Sequence, residues 1–153
     1  MTVKVSINLD RKFTVAADID TVFALLSDIP ASAEHFPKVQ ALTPLSDNEY
    51  RWEMKKVSLG LHSVQTVYAC EYTSDNNSKT IFWTPIKGEG NAIVSGKWEL
   101  HESPDGTSVS FHTKADLTIP LPGLLKMAIS PAVKIEFSGM VDSYLRSLQS
   151  IWA

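Results

Sequence analysis

The sequence predicts an α+β domain: a curved seven-stranded antiparallel sheet laid around a long C-terminal helix, with two short helices between strands one and two. Three observations predict it. Residues from Thr2 to Val15 alternate, with Val3, Val5, Ile7, Leu9, Phe13 and Val15 on one parity and Lys4, Ser6, Asn8, Lys12 and Thr14 on the other. A period of two means a strand that is apolar on one face. The period then changes in "ADIDTVFALLSDIPASAEHFP", returns to two for six further segments, and ends as a helical stripe from Val133 to Ile151.

The elements follow in order. Ile19, Val22, Phe23 and Leu26 stand three and four apart, Asp18 is placed as their N-cap, and Asp28 marks the helix end. Pro30 stops that helix and opens a second short one, which ends before Pro37. Val39 to Leu45 is a strand, Ser46-Asp47-Asn48 a turn, and Tyr50, Trp52 and Met54 alternate with Arg51, Glu53 and Lys55. A connection at Leu59-Gly60 leads to Val64, Tyr68, Cys70 and Tyr72 on one parity, and Asp75-Asn76-Asn77 is a turn signal. Lys79 to Ile86 is apolar on both parities, so its facing stays open. Gly88 and Gly90 lack the strand-then-helix context of a phosphate loop. The hairpin "SGKWELHESPDGTSVSFHTKADLTI" puts Trp98, Leu100, Val109, Phe111, Ala115, Leu117 and Ile119 on one face. Short links between successive strands imply an antiparallel meander, and strands this long twist and coil. The final helix is expected over about Pro131 to Trp152, capped by Ser130, with Val133, Phe137, Met140, Val141, Tyr144, Leu148 and Ile151 inward and an Asp142–Arg146 pair outward.

Composition narrows the function classes. The 153 residues suit one domain spanning 1–153, with 44% apolar and 20% charged residues. A net charge of −3 gives no general electrostatic reason to bind nucleic acid. Cys70 is the single cysteine, so no internal disulfide forms; this fits a reducing compartment, and the expected location is the cytoplasm. "MTVKVSINLD" has no apolar core of a secretory signal, and no run of about 18 apolar residues exists to span a membrane. The four histidines and Cys70 have no metal-ligand spacing, so neither a metal nor a cofactor is expected. No Gly-x-Ser-x-Gly nucleophile motif occurs.

"FTVAADIDTVFALLSDIPASAEHFP", "GKWELHESPDGTSVSF" and "PLPGLLKMAIS" together resemble the SRPBCC superfamily of START-like, helix-grip proteins, over nearly the whole chain. That group includes polyketide cyclases, plant pollen allergens, lipid-transfer domains and ubiquinone-binding proteins. The resemblance implies a helix-grip fold with a ligand cavity between sheet and helix. It holds binders and enzymes alike, so fold does not decide function.

The candidate site is the set of side chains facing that cavity. Trp52, Met54, Tyr68, Tyr72, Trp98 and Phe111 share the inner parity, with Trp83 as a further member and Phe137 and Met140 closing from the helix. A single helical stripe does not fill a wide curved sheet, and the space left over is an apolar cavity suited to a small ligand. Leu121, Leu124, Leu125, Met127 and Ile129 lie between the breakers Pro120, Pro122 and Pro131; the segment reads equally as a lid at the cavity mouth or as a short helix on the sheet edge, and Leu121–Ile129 is the one stretch suited to peripheral membrane contact. His62, counted as opposite Lys56, is a candidate for holding an anionic head group, while Glu34-His35 reads as a solvated helix face and His101 and His112 as exposed. The expected function is binding or carrying a lipid, isoprenoid or polyketide-like molecule. The alternatives are a cyclase or dehydratase, for which His62, Tyr68 and Tyr72 are the acid–base candidates, and a membrane-peripheral accessory protein resembling those that assist carbon monoxide dehydrogenase.

Overall fold

A computed structural model describes residues 2–153. In chain order the elements are β1 (Val3–Val15), α1 (Ile19–Ser27), α2 (Ile29–Ala33), β2 (Val39–Ser46), β3 (Glu49–Met54), β4 (Val57–Leu59), β5 (His62–Val64), β6 (Val67–Asp75), β7 (Thr80–Pro85), β8 (Ala92–Ser103), β9 (Gly106–Ile119), a 3₁₀ turn (Gly123–Leu125) and α3 (Lys126–Ile151). Seven strands form one antiparallel sheet in the order β1-β9-β8-β7-β6-β3-β2. The expected α+β architecture is present. β4 and β5 pair only with each other, so the stretch read as a connection at Leu59-Gly60 is itself a small hairpin.

Local signals act as their chemistry dictates. Asp18 caps α1 by accepting from the Thr21 N–H at 2.8 Å, and Asp28 both ends α1 and caps α2 by accepting from the Ala31 N–H. The two-sided apolar strand is resolved by the sheet: Ile81 and Trp83 are buried in β7, and Phe82 points outward. Strand parity places Val3, Val5, Ile7, Trp98, Leu100, Val109, Phe111, Ala115, Leu117 and Ile119 in one continuous core. Thr107 and Thr113 share that face and are buried, each donating its hydroxyl to a backbone carbonyl, Ala17 and Ser95 respectively.

The C-terminal helix departs from expectation at its start. It begins at Lys126, and Pro131 lies inside it rather than at its first turn. Four N–H groups at a helix start have no partner within the helix. Pro131, in the second turn, therefore removes one bond just beyond that frayed region, and the helix continues through it. Ser130 is not the cap; its Oγ is buried and makes no hydrogen bond. The segment expected as a lid or edge helix is thus the 3₁₀ turn plus the first turn of α3. Within it Leu124 and Met127 are 91% exposed, while Ile129 is buried.

Two pairings are also corrected. Asp142 accepts from Arg11 Nε of β1 at 2.9 Å instead of pairing with Arg146. Arg11 sits on the inner parity of β1, and α3 crosses close enough for its side chain to reach. His62 pairs across the hairpin with Leu59, so Lys56 is not opposite it. On α3, Ile151 is half exposed, whereas Leu145 and Trp152 are buried. The Trp152 carbonyl accepts from the Ala16 and Ala17 N–H groups, tying the helix end to the exit of β1.

Candidate functional site

α3 packs most closely on β1. α1 lies against β8 and β9, and α2 against β2. The sheet, both short helices and α3 together line a space of about 60 Å³.

Its walls are aromatic because cross-strand register brings aromatic residues opposite one another. Trp52 of β3 faces Tyr68 of β6, and their rings stack at 5.8 Å with 11° between planes. Tyr72 of β6 faces Trp83 of β7 at 6.0 Å, and Trp98 of β8 faces Phe111 of β9 at 4.6 Å. Trp83 also meets Phe111 at 6.0 Å, and Tyr144 of α3 meets Trp98 at 6.1 Å. Phe36, in the link after α2, closes the circuit by touching Tyr144 at 5.0 Å and Trp52 at 5.9 Å. Offset and edge-on contacts of this kind add stability beyond area burial.

No charged side chain lines the space; its polar groups are Ser32, Thr113, Tyr68, Tyr72 and Tyr144, with the Trp indole N–H groups. Ser32 Oγ and the Tyr144 hydroxyl share a 2.5 Å hydrogen bond. Trp52 Nε1 donates to the Tyr72 hydroxyl at 2.8 Å. Burial pushes the Tyr68 and Tyr72 hydroxyls well above their ordinary value and pushes Tyr144 up to about 12. All three therefore keep their protons at neutral pH. They can donate hydrogen bonds and are not bases.

Two half-buried rings separate this space from its surroundings. Phe36 also borders a surface groove formed by Pro30, Ala33, Glu34, Val39, Leu42, Pro44 and Tyr50. Phe137 of α3 also borders a second void of about 30 Å³, under the β4–β5 hairpin, beside Val57, Leu59, Val64, Val133 and Met140.

Residues 6–149 match the family described as polyketide cyclase / dehydrase and lipid transport. The chain belongs to that family. Solved structures agree at the level of fold. A protein from Thermus thermophilus is 20% identical, with a TM-score of 0.67 over 95% of this chain and 94% of that one. A START superfamily protein from Mycobacterium smegmatis is 17% identical, with a TM-score of 0.61 over 95% of this chain and 96% of that one. The Zhui aromatase/cyclase from Streptomyces sp. R1128 is 14% identical, with a TM-score of 0.60 over 95% of this chain and 90% of that one. Among curated proteins, none matches.

This polyketide cyclase / dehydrase and lipid transport family member brings Trp52, Tyr68, Tyr72, Trp83, Trp98, Phe111 and Phe137 together around one space. The other candidates lie elsewhere. Met54 is buried in the core but outside the lining, and Met140 lines the second void. Leu124 and Met127 project outward from the start of α3. His62 is half-buried on the hairpin and lines neither space. Glu34 is exposed, while His35 turns back so that its Nδ1 lies 2.8 Å from Ser147 Oγ.

Sequence reasoning missed Ser32, Phe36 and Thr113 as site residues, together with the aliphatic Leu26, Ile29, Ile81, Val94 and Val141. Thr113 was legible, since it shares parity with Phe111. Tyr144 was placed on the inner helical stripe but not at the cavity. Ser32 and Phe36 sit where the helical insertion is too short to show a period, so nothing local marks them.

Proposed function

We propose that this protein binds a hydrophobic small molecule in the aromatic space between its sheet and α3. The observation that carries the reading is an aromatic-walled space with no charged side chain in its lining. A concave apolar surface of this kind takes up an apolar molecule because the transfer frees both from water. The family description, with its lipid transport and its cyclases, supports the same reading. A cyclase or dehydratase would need a proton acceptor facing the ligand. The titratable side chains of this lining are three tyrosines that burial keeps protonated.

The space is small. About 60 Å³ exceeds what one water needs and falls short of the roughly 150 Å³ that accommodates benzene. An occupant of one or two rings therefore requires Phe36 or Phe137 to turn, and both are half-buried and border further space.

Native mass spectrometry of freshly purified full-length protein, followed by extraction of any bound species, tests the proposal. The expected result is a stoichiometric apolar compound, or recovery of tight binding when apolar ring compounds are added. Trp52, Trp83 and Trp98 line the space, so tryptophan fluorescence should change on binding. Absence of any bound species, together with unchanged fluorescence across a panel of such compounds up to their solubility limits, would overturn it.

A further inference from the structure

We infer that the cavity selects an uncharged ring compound carrying a hydrogen-bond-accepting oxygen, and that the Tyr68 hydroxyl donates the bond that holds that oxygen. The inference rests on the binding reading above and adds the chemistry of the ligand.

Among the other polar side chains of the wall, the Trp83 and Trp98 Nε1 groups make no hydrogen bond among the described residues, whereas each of the remaining hydroxyls has one. Trp52 Nε1 is used by Tyr72, Ser32 and Tyr144 use each other, and Thr113 Oγ1 donates to the Ser95 carbonyl at 3.1 Å. Tyr68 differs. It is 91% buried, being 9% exposed, and among the described residues its hydroxyl makes no hydrogen bond. It lines the cavity, unlike the sealed and unpartnered Ser103 and Ser130 oxygens, which lie away from it. Buried donors are rarely left without an acceptor, and leaving one so is unfavourable. Burial also raises the Tyr68 pKa, so the proton is retained and available to give. The ligand must then bring the lone pair, as a ketone, quinone or ether oxygen does.

Charge is selected against by the same wall. No Lys, Arg or His faces the space, so a carboxylate or phosphate inside would be an unpaired buried charge. Ring shape follows from the stacked Trp52–Tyr68 pair and the facing Trp98–Phe111 pair, which present aromatic faces and edges rather than a flexible aliphatic wall.

Indane and 1-indanone differ by one carbonyl oxygen and make matched probes. Isothermal titration with the wild-type protein and with Tyr68→Phe separates the inference from the reading beneath it. The expected result is that Tyr68→Phe weakens 1-indanone about five- to tenfold, the worth of one hydrogen bond, and leaves indane unchanged or tighter. The infrared carbonyl stretch of 1-indanone bound to the wild type should fall below its position in hexane, and should return toward it in Tyr68→Phe. If both probes bind and the substitution changes their ratio by less than about twofold, or if the bound carbonyl absorbs as in hexane, the inference is overturned while the binding reading stands. If neither probe nor any other apolar ring compound binds, both fall together. The infrared measurement on the wild type keeps the test decisive should the variant fold poorly.

Discussion

Gly96 and Trp83 face each other across the β7–β8 pair, and the indole occupies the room that a side chain at 96 would take. A Cβ there would lie 2.4 Å from a Trp83 ring carbon and 2.4 Å from the His112 carbonyl. The carbonyl is backbone and cannot step aside, so Gly96→Ala should cost about 1–3 kcal/mol by overpacking and push Trp83 toward the cavity. A lowered urea midpoint with unchanged slope checks this. Trp98, 3% exposed against Phe111 and Tyr144, is the opposite case: Trp98→Ala should cost on the order of 3–5 kcal/mol. Cys70 gives a pH prediction. Its thiol is buried, hydrogen-bonded to the Val94 carbonyl, and pushed up from 9.0 to about 12. Between those values the unfolded chain has lost the thiol proton while the folded one keeps it, so stability falls as pH rises through that window. Below about 9 nothing is lost. Denaturation midpoints should therefore drop from about pH 9 upward, and Cys70→Ala should delay the onset to about pH 10, where the buried tyrosines begin to contribute.

At the scale of elements, α3 carries an internal proline and the site carries two movable rings. Pro131 leaves the Met127 carbonyl without its helical donor, so Pro131→Ala should raise stability on the order of 1 kcal/mol, less than a mid-helix position because the first turn frays anyway. Hydrogen exchange should show the amides of Met127 and Ala128 exchanging fast with or without ligand, since they are in the first turn of a helix and do not line the space. Protection from Phe137 to Leu148 should be far higher. Phe36 and Phe137 are where binding should register. Phe36→Ala opens the space toward the surface groove and is expected to raise association and dissociation rates together, whereas Phe137→Ala joins the space to the void under the β4–β5 hairpin and is expected to favour longer ligands. Stopped-flow fluorescence with ligands of increasing length distinguishes the two. Equal rates in wild type and both variants would mean that neither ring gates the site.

At the scale of the whole molecule, one helix is asked to cover seven strands. α3 settles against β1, where Arg11 and Asp142 join strand to helix and Trp152 is fixed to the end of β1. The short α1 packs on β8 and β9 and α2 on β2, and residues of both join the sheet and α3 in lining the space. The sequence by itself determined the order of elements, the caps at Asp18 and Asp28, and the inward parity of Trp52, Tyr68, Trp98 and Phe111, because helix and strand periods are properties of a few neighbouring residues. It also carried the family likeness, which lives in the same local patterns. Only the tertiary structure decided that Phe36, Ser32 and Tyr144 meet those strands, that Met54 and Met140 stand outside the lining, and that Asp142 answers Arg11 rather than Arg146. Those outcomes depend on distances between faces far apart in the chain, Ser32 and Tyr144 being 112 residues apart. Periodicity tells which way a side chain points; only the packed layers tell how far the opposite wall is, and that distance makes the difference between a filled core and a space for a ligand.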